Sequence, residues 1–344
     1  MKIDMPIILS GNQRHDCLKV SGTMFKNILI PLDGSTLAEC VLPHVLSLSS
    51  VSEAHVILLH VLERPRDTGS LQPVDPLRWV LKKHEAEGYL KRLAFHFEEA
   101  GVNVEYALQE GTPAECIISY ANLVDVDLIV LSTHGSSGLS GWNVSSVVQK
   151  IILRANKSIL LVRAYQPSDA IVEKVHYSRI FVGLDSSPRA ELVLPIAIRL
   201  SQYFRASLTL GTVIQKPDIV SRLPLSEEDV LMVERITARN HRAASHYLDQ
   251  VQAQLASTGV EVKTRLETST NTLSSLHNMA EDEKADLVML VAHGRSAEGR
   301  WPYGSVTTSF IAYGATSLFV MQDLSENDIQ QTTAEQAMLK TQGH

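Results

Sequence analysis

The chain has 344 residues, enough for two domains that each bury a full core, with 44% hydrophobic and 20% charged residues. Its net charge of −7 argues against nucleic acid as a main partner, because binding a phosphate backbone needs a basic face. No run approaches the roughly 20 apolar residues of a membrane span, and Cys17, Cys40 and Cys116 show neither C-x-x-C nor metal-ligand spacing. These features together lead us to expect a cytoplasmic protein with free thiols.

Residues 1–23 carry only a short apolar patch and no convincing cleavage site, and are expected to be a disordered extension. Regular alternation begins after Met24. Residues 27–32 form a short apolar run ending in Asp-Gly-Ser, the pattern of a buried strand and its exit loop. Leu37, Val41, Val45 and Leu48 predict a helix over 36–48. A second strand is expected over 55–61, then a long Pro-, Asp- and Arg-rich loop over 63–76. A long amphipathic helix over 79–100 stops at Gly101. A strand over 103–108, a helix over 112–123 with Pro113 in its first turn, and a wholly apolar strand over 128–131 follow. A Gly- and Ser-rich loop at 135–141, a helix over 145–154 and a strand over 158–162 complete the unit.

The same order then returns. Residues 28–44 read ILIPLDGSTLAECVLPH and residues 180–196 read IFVGLDSSPRAELVLPI. Asp33 pairs with Asp185, an offset of 185 − 33 = 152 that also links Pro43 to Pro195 and Val61 to Val213. His134-Gly135 pairs with His293-Gly294 at an offset of 293 − 134 = 159. Strands of the second copy are expected near 180–184, 207–213, 261–266, 287–291 and 317–321, with a long helix over 227–257. This is a duplicated domain. We expect a first domain over 24–164, a linker over 165–177, a second domain over 178–323 and a polar tail over 324–344.

Apolar strands separated by helices indicate a parallel sheet covered on both faces. The expected fold class is α/β, with two tandem, doubly wound, five-stranded parallel sheets of Rossmann-like type packed as an intramolecular pseudo-dimer. Two fused halves leave the protein a monomeric pseudo-dimer or a homodimer. Ligands in such folds lie beyond the carboxyl ends of the strands.

Two features place chemistry there. Asp33 and Asp185 end the first strand of each copy, where a carboxylate can meet a ribose or a base edge, or simply turn the chain. The loop after the fourth strand reads STHGSSGLSGWNVSSV in copy one and VAHGRSAEGRWPYGSV in copy two. Its glycines let backbone N–H groups approach an anion, and the helix that follows offers its N-terminus to phosphate. His134 and His293 are expected to bond nearby backbone, His44 and His60 to be structural or surface groups, and Trp142 and Trp301 to pack.

The ILIPLDGS opening, the HVLE segment, Glu110-Gly111-Thr112-Pro113 and the DLIVLSTHGSSGLSGW…SSV run make the chain similar to a tandem universal stress protein of the UspA type. That resemblance implies an adenine-nucleotide alpha-hydrolase-like fold and binding of ATP, or of ADP or AMP, with Mg2+ arriving on the phosphates. It implies that Pro31 and Asp33 meet base and ribose, that Val61 lies beside adenine, and that Leu131, Ser132, Gly135, Gly138, Ser145, Ser146 and Val147 line ribose and phosphates. In copy two the corresponding set is Asp185, Val213, Leu290, Val291, Gly294, Gly304, Ser305 and Val306. Copy one carries the complete G-x-x-G and is the better match, although Ser145 stands where the family has Gly. Copy two keeps Gly304-Ser305 but has Ala297 for the second Gly and Gly183 for Pro31.

The resemblance implies a stress-response regulator or switch with a protein partner not identifiable from sequence. An enzyme is the main rival, but there is no Walker A motif and no S-G-G-x-D-S loop, so at most slow ATP hydrolysis is expected. A nucleotide-free scaffold that acts through its surface is the other alternative.

Overall fold

The structure is a computed structural model and describes residues 24–63, 76–135, 144–164, 174–217, 226–294 and 302–323. Expectations for Gly138, Trp142, Trp301, Cys17, the extension 1–23 and the tail 324–344 lie outside these residues.

The strands of the first copy are β1 (Asn27–Leu32), β2 (His55–Leu62), β3 (Val104–Glu110), β4 (Leu128–Ser132) and β5 (Ser158–Val162). Its helices are α1 (Leu42–Ser52), α2 (Pro76–Glu99), α3 (Pro113–Leu123) and α4 (Ser146–Arg154). The second copy supplies β6 (Arg179–Gly183), β7 (Ser207–Gln215), β8 (Val262–Ser269), β9 (Leu287–Val291) and β10 (Ser317–Met321). Its helices are α5 (Leu194–Phe204), α6 (Glu227–Leu255), α7 (Thr272–Asp282) and α8 (Ser305–Tyr313). The helix expected over 36–48 starts late. A 3-10 turn, Ala38–Val41, precedes α1, because Pro43 has no N–H to donate and sits best in a first turn.

All ten strands join one sheet in the order β3-β2-β1-β4-β5-β10-β9-β6-β7-β8. Pairing is parallel within each copy and antiparallel at the β5–β10 seam, where Leu161 faces Leu318 and Leu160 faces Phe319. The two five-stranded halves of the pseudo-dimer therefore share a hydrogen-bonded edge.

Strand residues alternate between two cores, as period-2 geometry requires. Ile28, Ile30 and Leu32 of β1 pack with α1 and α2, and Leu29 points to the opposite layer of α3 and α4. Each core contains residues of both copies. Three further contacts fasten the halves. Arg163 donates to the carbonyls of Phe310 (2.5 Å), Ile311 (3.1 Å) and Thr316 (3.3 Å), closing the C-terminus of α8 from across the seam. Tyr303 donates to the Ile152 carbonyl at 3.1 Å. His44 meets the hydroxyl of Tyr177, a fully buried residue ahead of β6, at 2.6 Å. Burial pushes the tyrosine pKa upward, so its hydroxyl stays protonated and donates to the imidazole, whose own pKa burial lowers to about 4. His44 is thus structural and enclosed.

Candidate functional site

In each copy the strand order reverses around the first strand: β1 lies between β2 and β4, and β6 between β7 and β9. At this switch point crossovers leave on opposite faces and open a crevice at the carboxyl edge. Asp33 and Asp185 stand there. One oxygen of each turns the chain: Ser35 N–H donates to Asp33 Oδ1 and Ser187 N–H to Asp185 Oδ1, both at 3.0 Å. The other oxygen faces the loop after the fourth strand. A Cβ placed on Gly135 would collide with Asp33 Oδ2, and one on Gly294 with Asp185 Oδ2. The two sequence features are one unit, because glycine is needed where the Asp carboxylate abuts the loop backbone.

The eight candidates of copy two, Asp185, Val213, Leu290, Val291, Gly294, Gly304, Ser305 and Val306, line a single cavity of about 120 Å³, together with Thr272, Leu276 and His293. It opens into a groove of about 820 Å³ walled by Asn240 and Ala243 of α6 and by Asn271 ahead of α7. The cavity alone is smaller than common ligand sites, and the groove brings the cleft into their range. The cavity lining combines apolar side chains of β7, β9 and α7 with the Asp185 carboxylate, Gly294, Gly304 and the start of α8.

Copy one places its candidates at equivalent strand positions. Pro31 and Val61 lie on β1 and β2, Leu131 and Ser132 end β4, Gly135 abuts Asp33, and Ser145, Ser146 and Val147 open α4. Ser132 has a role that sequence did not foresee. Its buried hydroxyl bonds the carbonyls of Leu37 (2.9 Å) and His134 (2.6 Å), which ties β4 to the turn after β1.

The helix starts differ in one atom group. Ser145 and Gly304 share an extended backbone, φ −67°, ψ 156° against φ −70°, ψ 169°. The Ser145 hydroxyl accepts from Val148 N–H at 3.4 Å and caps α4. Gly304 has no side chain with which to cap α8. The first N–H groups of an uncapped helix suit an anion.

The histidines also differ. His134 Nδ1 lies 3.1 Å from Thr133 Oγ1, whereas His293 Nδ1 lies 2.8 Å from the carboxylate of Asp323. The sequence reading expected backbone partners. The acid comes from beyond the next strand, a separation that no local spacing reveals. Among the described residues no group of three or more His, Cys, Asp or Glu could hold a metal ion, and no helix is long and apolar enough to cross a membrane.

Fold and cleft define a duplicated α/β protein with an open crevice at the switch point of its second half. The universal stress protein family model matches residues 24–163 and 176–320, and the chain belongs to that family. Universal stress protein MJ0577 of Methanocaldococcus jannaschii is 31% identical over 155 residues, which cover 41% of this chain and 96% of that protein. Universal stress protein YxiE of Bacillus subtilis is 30% identical over 149 residues, covering 41% of this chain and all of that one (100%). The solved structure of the functionally unknown protein PA1789 from Pseudomonas aeruginosa superposes with a TM-score of 0.63 at 15% identity, covering 92% of this chain and 98% of that one. A universal stress protein structure from Archaeoglobus fulgidus gives 0.58 at 18% identity, with 86% and 98% covered. These two likenesses show the fold.

Proposed function

We propose that this universal stress protein binds an adenine nucleotide, ATP foremost, in at least one of its halves (24–164 and 178–323), and that copy two is the stronger site. The observation that carries this reading is the convergence in copy two of a carboxylate, a glycine whose Cβ would displace that carboxylate and a helix start with glycine at its N-cap, around one cavity. Asp185 suits ribose hydroxyls, Val213 and Leu290 offer apolar contact to a base, and the N–H groups of Gly294, Ser305, Val306 and Thr307, the last being the counterpart of the capped Val148, suit phosphate oxygens. The residues therefore fit the group. Mg2+ would come with the phosphates, which supply most of its ligands in such sites.

We take binding as the function and its consequence as regulatory, in a cytoplasmic, stress-linked setting in keeping with the family. The test is mass spectrometry of small molecules released from the denatured protein, followed by calorimetry with Mg-ATP on wild type and Gly294→Ala. One equivalent of adenine nucleotide, or a Kd in the micromolar range that Gly294→Ala weakens at least tenfold, supports the reading. No release together with a flat isotherm overturns it and leaves a nucleotide-free scaffold.

A further inference from the structure

Asp323 follows β10, and its carboxylate has no exposed surface. A buried carboxylate is costly unless paired. Here it is paired twice. His293 Nδ1–H donates to Oδ1 at 2.8 Å. Arg189 Nε lies 3.1 Å from Oδ2, an ion pair outside hydrogen-bonding alignment. The arginine is half-exposed and adjoins Ala190, which lines the cavity.

Two of the three residues come from chain segments that line the cavity, and the third stands behind them, outside the lining. Arg189 lies on the turn that follows Asp185, His293 on the loop that continues to Gly294, and Asp323 at the exit of β10. The backbone of the same loop is held by Ala292 N–H to the Met321 carbonyl and Gly304 N–H to the Ala292 carbonyl, each at 2.8 Å.

Copy one has none of this chain of charges. The equivalent positions are Leu37 (189 − 152), His134 (293 − 159) and Ala164 (323 − 159). It makes the same ties with neutral hydroxyls: Ser132 Oγ bonds the Leu37 carbonyl, and Thr133 Oγ1 accepts from Ala164 N–H at 3.1 Å. Copy two has Val291 and Ala292 at those two places. A hydroxyl fastening in one half is thus replaced by a charged one in the other.

We propose that Arg189, Asp323 and His293 form a positioning clasp, specific to copy two, that fixes the Gly294 backbone against the α8 start and sets that site's affinity for polyanionic ligands. This rests on the nucleotide reading above. His293 and Asp323 are positioning residues, and Arg189 adds positive charge at the rim. A merely structural tie would lower stability and leave the affinity of the folded protein unchanged; a clasp changes affinity.

The test is calorimetric titration of the full chain with Mg-ATP, well below each variant's melting temperature. His293→Ala and Asp323→Ala should weaken copy-two binding about tenfold or more. His293→Asn, whose amide nitrogen can stand in for Nδ1–H as donor to Asp323, should stay within about threefold of wild type. The affinity left in a Gly304→Asp background belongs to copy one and should not respond to His293→Ala. Folded alanine variants that bind as wild type overturn the clasp and leave the nucleotide reading intact. His293→Asn as weak as His293→Ala also overturns it, because the link to Asp323 is then not what matters. If the buried variants fail to fold, Arg189→Met decides: about threefold weaker binding supports the clasp and unchanged binding overturns it. A wild-type chain that takes up no Mg-ATP overturns both readings together.

Discussion

Copies one and two share a fold, a strand-one Asp and a glycine without room for a Cβ, yet they finish the crevice with different chemistry. Copy one closes its helix start with the Ser145 hydroxyl and fastens its loop with Ser132 and Thr133. Copy two leaves the α8 start without a side-chain cap and fastens its loop with Arg189, Asp323 and His293. The difference teaches that duplication can preserve a crevice while redistributing its hydrogen-bond donors. A donor used internally as a cap is not available to a ligand.

The largest expected effect on ligand binding comes from closing copy two with charge. At Gly304 a new Cβ would meet Ala292 O no closer than 3.6 Å, an ordinary contact, so Gly304→Asp should fold. An Asp at a helix N-cap complements the dipole and holds or raises stability by up to about 1 kcal/mol. The same carboxylate repels phosphate, so Mg-ATP affinity in copy two should fall roughly a hundredfold, about 2.7 kcal/mol. Calorimetry paired with thermal melts checks the split. Weakened binding accompanied by a lower Tm would show mere misfolding.

Next is the lock between the halves. His44 titrates near 4 when folded and near its ordinary 6.5 when unfolded. The unfolded chain therefore binds the proton more readily, and the contribution is present above pH 6.5 and lost as pH falls toward 4. The full shift corresponds to roughly 3 kcal/mol. Urea melts of wild type and His44→Phe across pH 4 to 7 should show that the variant lacks this component of acid destabilisation. Because both cores contain residues of both copies, the halves should melt together; two separate transitions would break the picture of a shared core.

A smaller effect sharpens the comparison from the other side. Ser145→Gly gives copy one the helix start of copy two. The cost in stability should be a few tenths of a kcal/mol. Freeing Val148 N–H should raise the anion affinity of copy one severalfold, read by phosphate or Mg-ATP titration in the Gly304→Asp background. Unchanged affinity would show that the cap is not what separates the copies. The smallest effect concerns the strand-one turn. Ser186 takes φ 62° where the turn of copy one has Gly34 at φ 81°. Ser186→Gly relieves that left-handed strain and gives back some unfolded-state entropy, for a net change below about 1 kcal/mol by thermal melts.

The positions of Asp33 and Asp185 after the first strand of each copy, and of Gly135 and Gly294 after the fourth, were legible in sequence, because both are fixed by local chain geometry and appear twice in one register. The ranking of the copies was not. Sequence favoured copy one for its complete G-x-x-G, and Gly138 of that motif lies outside the described residues. What shifts the proposal toward copy two is a hydroxyl 3.4 Å from one N–H, an orientation that a one-letter string does not carry. Asp323 was invisible for a related reason. It reaches His293 across a separation of 30 residues, and the exit of β10 meets the exit of β9 only once the two strands have paired.

By itself the sequence determined the duplication, the strand–helix alternation, the parallel α/β class and the family. Periodicity and repeated motifs are local properties, and they survive without knowledge of what packs on what. Tertiary structure alone decided that the two halves share one sheet through antiparallel β5 and β10, that His44 is sealed against Tyr177, and that a buried carboxylate fastens only the second crevice. Each of these depends on pairing or burial between residues far apart in the chain, and their energies exist only when the chain is folded.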